Sequence, residues 1–120
     1  MKIIVVGAGK VGYSVAKILS EEGHDITVID RDPETITHLS NELDVICVEG
    51  SATNHETLLG AGAAEADLLM AATQQDEVNM VCCLTAKKMG TSYTIARIRN
   101  PEYEKQLRFM REELGLSMAI

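Results

Sequence analysis

A glycine triplet near the start of the chain constrains the fold more than any other feature. The segment Gly7–Gly12 reads Gly-Ala-Gly-Lys-Val-Gly and lies between an apolar, β-branched run and a helical pattern. Between a strand and a helix, Gly7 permits a tight turn, Gly9 lets the backbone approach a pyrophosphate, and Gly12 lets the helix pack closely. The helix N-terminus adds free N–H groups and a positive dipole end. The pattern predicts a phosphate-binding turn, and the alternative is a glycine-rich turn without a ligand.

Strand patterns alternate with helical patterns along the chain. This alternation indicates βαβ crossovers and therefore a parallel sheet covered on both faces. We predict a Rossmann-like, doubly wound α/β fold of about six strands, as one domain over residues 1–120. The predicted strands are Lys2–Val6, Asp25–Asp30, Val45–Val48, Asp67–Ala72, Tyr93–Ile98 and Leu116–Ile120, and the predicted helices are Lys10–Glu22, one opened by Asp32 and Pro33, Asn54–Gly60, Gln75–Met89 and Pro101–Leu114. Because an apolar run reaches Ile120, we expect a fragment of a longer protein.

The composition argues against several classes of function. The 18 acidic and 11 basic residues give a net charge of −7, which leaves no basic face for nucleic acid. No apolar run approaches the length of about 20 residues that a membrane span needs, and there is no signal peptide, so we expect a cytoplasmic chain. Cys47, Cys82 and Cys83 lack Cys-x-x-Cys spacing and the three histidines share no ligand spacing. We therefore predict free thiols in a reducing compartment and no metal site.

A carboxylate at the end of the second predicted strand indicates what the turn would bind. Asp30 follows Gly12 at the spacing of about 20 residues at which a carboxylate accepts hydrogen bonds from the adenosine ribose. Its charge would repel the 2′-phosphate of NADP, so we expect NAD or another unphosphorylated ribose; the alternative is a solvated Asp. Arg31 either stacks on adenine or is solvated. Lys10 either reaches phosphate or is an ordinary surface lysine.

Further candidates lie where strands end, since ligands of open α/β sheets bind outside the carboxyl ends of the strands. Thr73 is either a hydroxyl donor to the ligand or a cap of the next helix. Arg97 follows an apolar strand, where an unpaired charge is costly, so we expect an acidic partner or a phosphate. The remaining candidates are Val11, Gly50, Ser51, Ala52 and Ala72.

No catalytic constellation is evident in the sequence. There is no recognisable Ser/His/Asp or Cys/His arrangement. Asp76 and Glu77 are adjacent, so on a helix they point in different directions, and acidic residues suit the first turn of a helix. The residues of this chain therefore predict no catalytic site.

Taken together, the motifs resemble the TrkA N-terminal family, also called the RCK or KTN domain, which comprises cytoplasmic regulators of potassium channels and uptake systems. The resemblance covers essentially the whole chain. Its more specific part is Ala96–Tyr103, which reads Ala-Arg-Ile-Arg-Asn-Pro-Glu-Tyr, because every Rossmann protein shares the glycine turn. The other matching segments are Ile3–Gly12, Val28–Asp30, Ala71–Thr73 and Asp76–Asn79.

The resemblance implies a ligand-sensing role without catalysis. In this family the glycine turn and the carboxylate after the second strand bind NAD(H), ATP, ADP or AMP. By that match Gly7, Gly9, Gly12 and Asp30 are ligand contacts. Two further positions match basic contacts of the family: Lys10 stands where some members place a phosphate-binding Arg, and Arg97 matches the Arg of the fifth strand. Many members carry Gly-Asp where this chain has Gly50-Ser51.

The resemblance also implies partners. Nucleotide exchange in the family shifts the arrangement of dimers within a ring, and the ring pulls on a membrane pore protein. A homodimer or higher ring and an integral-membrane potassium-translocating subunit are therefore implied, with this domain at the inner face of the membrane. Apolar residues on more than one side of two predicted helices also predict a dimer interface; they are Met80, Val81, Leu84, Phe109 and Met110.

Two other functions stay open at the level of the sequence. One is the dinucleotide-binding half of an NAD-dependent dehydrogenase, whose catalytic domain would lie beyond Ile120. The other is a Rossmann module whose ligand is purely structural.

Overall fold

The computed structural model describes residues 1–114 and 118–119, and those residues contain one sheet of parallel strands. The strands are β1 (Lys2–Val6), β2 (Asp25–Asp30), β3 (Ile46–Glu49), β4 (Leu68–Ala71), β5 (Tyr93–Ala96) and β6 (Met118–Ala119). The helices are α1 (Lys10–Glu21), α2 (Pro33–Glu42), α3 (His55–Gly60), α4 (Asp76–Met89) and α5 (Pro101–Leu114). The strand order is β3-β2-β1-β4-β5-β6, so the predicted doubly wound α/β class is confirmed.

The direction of winding reverses between β1 and β4. Strand β1 pairs in parallel with β2 on one side and with β4 on the other. From β1 the chain winds outward to β3, then crosses over to β4 and winds outward in the opposite direction. In open sheets such a reversal leaves a crevice beyond the carboxyl ends of the two central strands. The glycine turn after β1 therefore lies beside the loop after β4.

Alternate residues of β1 face two separate apolar layers. Ile3 and Val5 belong to a layer that includes residues of α1 and α2. Ile4 and Val6 belong to a second layer, with residues of α3, α4 and α5. All four side chains are at most 1% exposed. Burial on both faces explains why this strand is a continuous β-branched run rather than an alternating one.

Helix boundaries follow the predicted caps. Asp32 is the N-cap of α2 and accepts a hydrogen bond from the N–H of Glu34, with Pro33 as the first helical residue. Asn54 caps α3 in the same way. Gly23, which follows the C-cap Glu22 of α1, has a φ of +88°, a conformation that glycine adopts without strain.

The structure corrects the prediction for the buried face of α1. In the sequence, helical spacing predicts one apolar face made of Val11, Val15, Ile18 and Leu19. In the structure, however, Ile18 is 56% exposed. The fully buried positions of α1 are Gly12 and Ala16. Small residues at these positions let the helix lie close to β1, which turns Ile18 outward.

Strand β5 ends at Ala96, two residues earlier than predicted. The N–H of Arg97 still donates to the carbonyl of Ala71 in β4 at 2.9 Å. Its carbonyl, however, accepts a hydrogen bond of 2.7 Å from Nδ2 of Asn79, so the pairing with β4 does not continue beyond this residue. On α5, the sequence spacing predicts one side lined by Tyr103, Leu107, Met110 and Leu114, and Leu107 is buried. The predicted contributions of Met110 and Leu114 to the same side of α5, and of Leu116 and Ile120 to the last strand, lie outside the described residues and side chains.

Within the described part of the chain, none of the helices has the length and apolar character that crossing a membrane requires.

Candidate functional site

A cavity of about 510 Å³ lies at the carboxyl ends of β1 to β4. It is bounded by the glycine turn on one side and by the loop after β4 on the other, which places it where the winding reverses. Its volume falls within the range of small-molecule sites, about 300–1,000 Å³. Nine of the predicted site residues line it: Gly7, Gly9, Asp30, Arg31, Gly50, Ser51, Ala52, Ala72 and Thr73.

The three glycines of the turn meet different surroundings. Gly7 has a φ of +89°, and a Cβ there would lie 3.0 Å from the backbone nitrogen of Thr73. A Cβ on Gly12 would lie 1.7 Å from the carbonyl oxygen of Gly7. At Gly9, by contrast, the described residues place no heavy atom within 4 Å of the Cβ position. The fold itself therefore needs the first and third glycines, whereas the second keeps open the space through which a phosphate would approach.

Helix α1 begins directly after this open position. The first N–H groups of a helix have no intrahelical acceptor, and Gly9, at the N-cap, has no side chain to supply one. Together with the positive end of the helix dipole, these groups form the arrangement that binds phosphate in many proteins. Lys10 and Val11 belong to this first turn of the helix, Lys10 exposed and Val11 half-buried. Neither of them is part of the cavity lining.

Asp30 connects the end of β2 to the glycine turn. Its Oδ2 accepts a hydrogen bond of 2.8 Å from the N–H of Ala8, and its Oδ1 accepts one of 2.9 Å from the N–H of Asp32. These two donors hold the half-buried carboxylate in the cavity wall. An ionised carboxylate has about four acceptor positions. Each oxygen therefore keeps capacity for a further donor, as the two hydroxyls of a ribose would require.

The hydroxyl of Thr73 is used within the protein. Its Oγ1 donates to Oδ1 of Asn79 at 2.7 Å and accepts from the N–H of Gln75 at 3.2 Å. A hydroxyl has one hydrogen to donate, so the structure does not support the predicted role as a donor to the ligand. The other predicted role is also corrected, because Gln75 is the N-cap of α4. Thr73 instead orders the loop that forms one wall of the cavity.

The two arginines differ in their relation to the cavity. Arg31 is exposed and lines it. Arg97 is half-buried and lies outside the lining. None of the described acidic side chains forms an ion pair with Arg97, so the expected acidic partner is not found in that part of the chain. A phosphate contact stays a prediction for this residue.

Several lining residues were missed by the sequence reasoning. Asp32 was identified only as a helix cap, yet its carboxylate lies in the cavity wall and also accepts from Oγ1 of Thr35. Its position two residues after Asp30 is a signal that could have identified it. The other lining residues that were missed are Val6, Ala8, Ile29, Thr35, Thr53, Gln74, Gln75 and Val78.

The cysteines lie away from the cavity lining and are free thiols, as predicted. Cys82 and Cys83 are buried in α4, and burial raises the pKa of Cys82 to about 12 and raises the pKa of Cys83 as well. Both thiols are therefore protonated at neutral pH and are poor nucleophiles. In the described residues, no group of three His, Cys, Asp or Glu side chains is positioned to hold a metal ion.

The sequence of this chain is similar to the sequences of known proteins. The model of the TrkA-N domain family matches residues 3–119. The Trk system potassium uptake protein TrkA homolog of Archaeoglobus fulgidus is 39% identical over 120 residues, which are 100% of this chain and 27% of the relative. The Trk system potassium uptake protein TrkA of Haemophilus influenzae is 42% identical over 123 residues, again 100% of this chain and 27% of the relative. This chain thus spans about a quarter of the length of the curated relatives it matches.

Solved structures share the fold at lower identity. The GsuK channel bound to NAD is similar with a TM-score of 0.83 and 23% identity, over 99% of this chain and 21% of that chain. GsuK bound to ADP is similar with a TM-score of 0.82 and 23% identity, over 99% of this chain and 30% of that chain. At this identity the likeness establishes the fold alone.

Proposed function

This chain belongs to the TrkA-N domain family, and from that membership we propose that it is the nucleotide-sensing regulatory domain of a potassium uptake system or channel. The family match confirms the resemblance noted from the motifs. The observation that carries the proposal is the cavity at the winding reversal, where the glycine turn, the α1 N-terminus and the carboxylate of Asp30 meet.

The proposed ligand is an adenine nucleotide with an unphosphorylated ribose, which includes NAD(H), ATP, ADP and AMP. The first turn of α1 holds its phosphate, and Asp30 accepts hydrogen bonds from its ribose hydroxyls. Asp30 and Asp32 place two negative charges where a 2′-phosphate would lie, which disfavours NADP. The proposed contacts are Gly7, Gly9, Lys10, Val11, Gly12, Asp30, Arg31, Gly50, Ser51, Ala52, Ala72, Thr73 and Arg97. The relative GsuK has been solved with NAD and with ADP, which supports this ligand class.

The proposed role is regulatory and not catalytic. The described lining of the cavity contains no His, Cys or Lys, and its acidic groups are Asp30 and Asp32. Asp30 is held by two backbone donors and Asp32 caps α2, so neither is placed as a general acid or base. The relatives are named as potassium uptake proteins, and a dehydrogenase is therefore not favoured.

The partners follow from the same membership. We propose a homodimer or higher ring that contacts an integral-membrane potassium-translocating subunit at the cytoplasmic face. Val81 is 45% exposed and Phe109 is 86% exposed, which supports the predicted contribution of α4 and α5 to an interface between copies. A ligand changes such an assembly only through its different affinities for the two arrangements.

Calorimetric titration with NADH, NAD, ATP, ADP and AMP tests the ligand proposal. We expect at least one nucleotide to bind and the Asp30→Ala variant to bind it at least tenfold more weakly, because a hydrogen bond to a charged group contributes about 1.5–3 kcal/mol. The matched control is Asp25→Ala, an exposed Asp at the opposite end of the same strand. Absence of binding by all five nucleotides, or equal binding by Asp30→Ala and the wild type, would contradict the proposal.

A further inference from the structure

Asn79 is a fully buried polar residue in the middle of the molecule, with 0% of its surface exposed. Its Oδ1 accepts from the N–H of Thr73 at 3.0 Å and from the hydroxyl of Thr73 at 2.7 Å. Its Nδ2 donates to the carbonyl of Thr73 at 3.1 Å and to the carbonyl of Arg97 at 2.7 Å. An amide side chain has two acceptor and two donor positions. All four positions are occupied by hydrogen bonds. The side chain therefore keeps these bonds only while Thr73 and Arg97 hold their present positions.

The partners of Asn79 belong to two different loops. Thr73 lines the cavity and packs against the glycine turn, since a Cβ on Gly7 would lie 3.0 Å from Cγ2 of Thr73. Arg97 follows β5 and begins the connection to α5. One buried side chain therefore fastens a wall of the cavity to the segment that leads out to the last described helix.

Asp76, one helical turn before Asn79, extends this connection. Its side chain is 8% exposed. Its Oδ1 accepts from the N–H of Arg99 at 3.0 Å, and its Oδ2 accepts from the N–H of Asn100 at 2.8 Å. Asn100 in turn accepts from the N–H of Glu102 in the first turn of α5. The start of α4 and the start of α5 are thus tied by partly buried hydrogen bonds between residues 23 and 24 positions apart.

We propose that Asn79 and Asp76, which we call the α4 bridge, are positioning residues that couple occupancy of the cavity to the start of α5. The inference rests on the proposed function and adds the route by which a bound nucleotide acts. A ligand that touches the loop at Thr73 shifts the acceptor and donor atoms that Asn79 requires. Because Asn79 also holds the carbonyl of Arg97, the β5–α5 connection must follow or lose a buried hydrogen bond.

The link that Asn79 makes between Thr73 and Arg97 resists displacement, because moving either residue alone would break a hydrogen bond. A buried polar group left without its partner is destabilising, because no hydrogen bond then compensates for its removal from water. The bridge has no spare donor or acceptor on Asn79 to compensate for a shift on one side. A bridge that served stability alone would hold α5 equally with and without the nucleotide, whereas a coupling bridge makes the protection of α5 depend on the nucleotide.

Residue-resolved hydrogen exchange, measured by NMR with and without ADP, tests this coupling. Each variant is studied at an ADP concentration that saturates it. In the wild type we expect ADP to change exchange of the Arg99 and Asn100 amides, which are bonded to Asp76, by at least about fivefold. In Asn79→Ala we expect ADP still to protect the glycine turn but to leave these two amides unchanged.

Two further variants keep the test decisive. Thr91→Val removes a buried hydrogen bond of 2.6 Å to the carbonyl of Ala63, away from the bridge, and is expected to keep the full effect of ADP at Arg99 and Asn100. Asp76→Asn retains one acceptor and serves if Asn79→Ala does not fold; it is expected to lose the effect of ADP at the same amides.

The possible outcomes separate this inference from the proposed function. If ADP binds and Asn79→Ala keeps the effect at Arg99 and Asn100, the coupling proposal is wrong. If ADP binds the wild type without affecting these amides, the coupling is again wrong while nucleotide binding stands. If ADP does not bind, the exchange measurement is made with the nucleotide that does bind, and the same results at Arg99 and Asn100 decide the coupling. Failure of the whole nucleotide panel overturns the proposed function and the coupling with it.

Discussion

At the scale of single residues, the glycines of the turn show how different positions in one motif serve different ends. A methyl group on Gly12 would overlap the carbonyl of Gly7, but a methyl group on Gly9 would project into open space. Asp30 likewise serves two ends, because the carboxylate that would accept from a ribose also holds the N–H of Ala8. A substitution at Gly9 should therefore affect mainly nucleotide binding. A substitution at Gly12 or Asp30 should affect both binding and the stability of the fold.

Substitution of the glycines by alanine tests this separation. Gly9→Ala is expected to fold with a loss of stability of no more than about 1 kcal/mol, because Ala is a poorer N-cap than Gly. It is expected to lose nucleotide binding, because the new methyl group blocks the approach of the phosphate. Gly12→Ala is expected to lose about 3 kcal/mol or more of stability through overpacking. Gly60→Ala is the control, since this exposed glycine in α3 also has an open Cβ position. Chemical denaturation and calorimetry measure both effects; tight nucleotide binding by Gly9→Ala would contradict the account.

The cysteines give a second prediction at the scale of residues. In the folded chain we expect one thiol, the half-buried Cys47, to react rapidly with a disulfide reagent at pH 8. Cys82 and Cys83 are buried with raised pKa values, so we expect them to react only on unfolding. A Cys47→Ser variant should then show no rapid reaction. Rapid reaction of two or three thiols in the folded wild type would contradict the assignment.

Because the pKa of the buried thiols is raised in the folded chain, the free energy of unfolding depends on pH. The pKa of Cys82 is raised in the folded chain above the value of about 8.5 for an exposed thiol. The stability linked to this group is therefore fully present below about pH 8.5 and is lost as the pH rises toward 12.

At the scale of elements, caps and loops position the cavity walls. Helix α3 begins at His55, one residue beyond the lining segment Gly50–Thr53, and it is anchored by the buried Leu58. Its N-cap, Asn54, accepts hydrogen bonds from the N–H groups of Glu56 at 2.8 Å and Thr57 at 3.3 Å. The cap therefore determines where the lining segment ends and the helix starts.

Removal of this cap is expected to weaken the fold measurably. Asn54→Ala should lower the free energy of unfolding by about 1 kcal/mol, the usual effect of losing such a cap. Asn41→Ala, at an exposed position of α2, is the matched control and should change stability by less than about 0.5 kcal/mol. Urea denaturation of both variants measures the difference. Equal stability of the two variants would show that Asn54 does not cap α3.

The elements also show which parts of the structure local sequence determines. The strands, the glycine turn and the position of Asp30 were predictable because each depends on a short pattern or on a fixed spacing. The roles of Asp76 and Asn79 were not, since their hydrogen bonds join segments that are distant in sequence. The exposure of Ile18 was mispredicted for a related reason: a helical pattern identifies an apolar face, but the packing of Gly12 and Ala16 determines how the helix is turned.

At the scale of the whole molecule, the reversal of winding between β1 and β4 determines where the cavity lies. It places the glycine turn and the β4–α4 loop on opposite sides of one cavity. Helix α4 then runs from that loop and ties it to the start of α5. A nucleotide in the cavity would therefore contact both halves of the sheet, and through α4 it would reach the side of the molecule that carries the exposed Phe109.

An NMR titration of the isotope-labelled chain with ADP tests the central claim most directly, because it reports both binding and location. We predict that the largest shifts of amide signals occur in the glycine turn, the first turn of α1 and the loop after β2, at Ala8, Gly9, Lys10 and Asp32. We predict little change at Asp25, at the opposite end of the sheet. Unchanged spectra at saturating concentrations of ADP and of each of the other four nucleotides, or shifts confined to residues outside the cavity, would contradict this prediction.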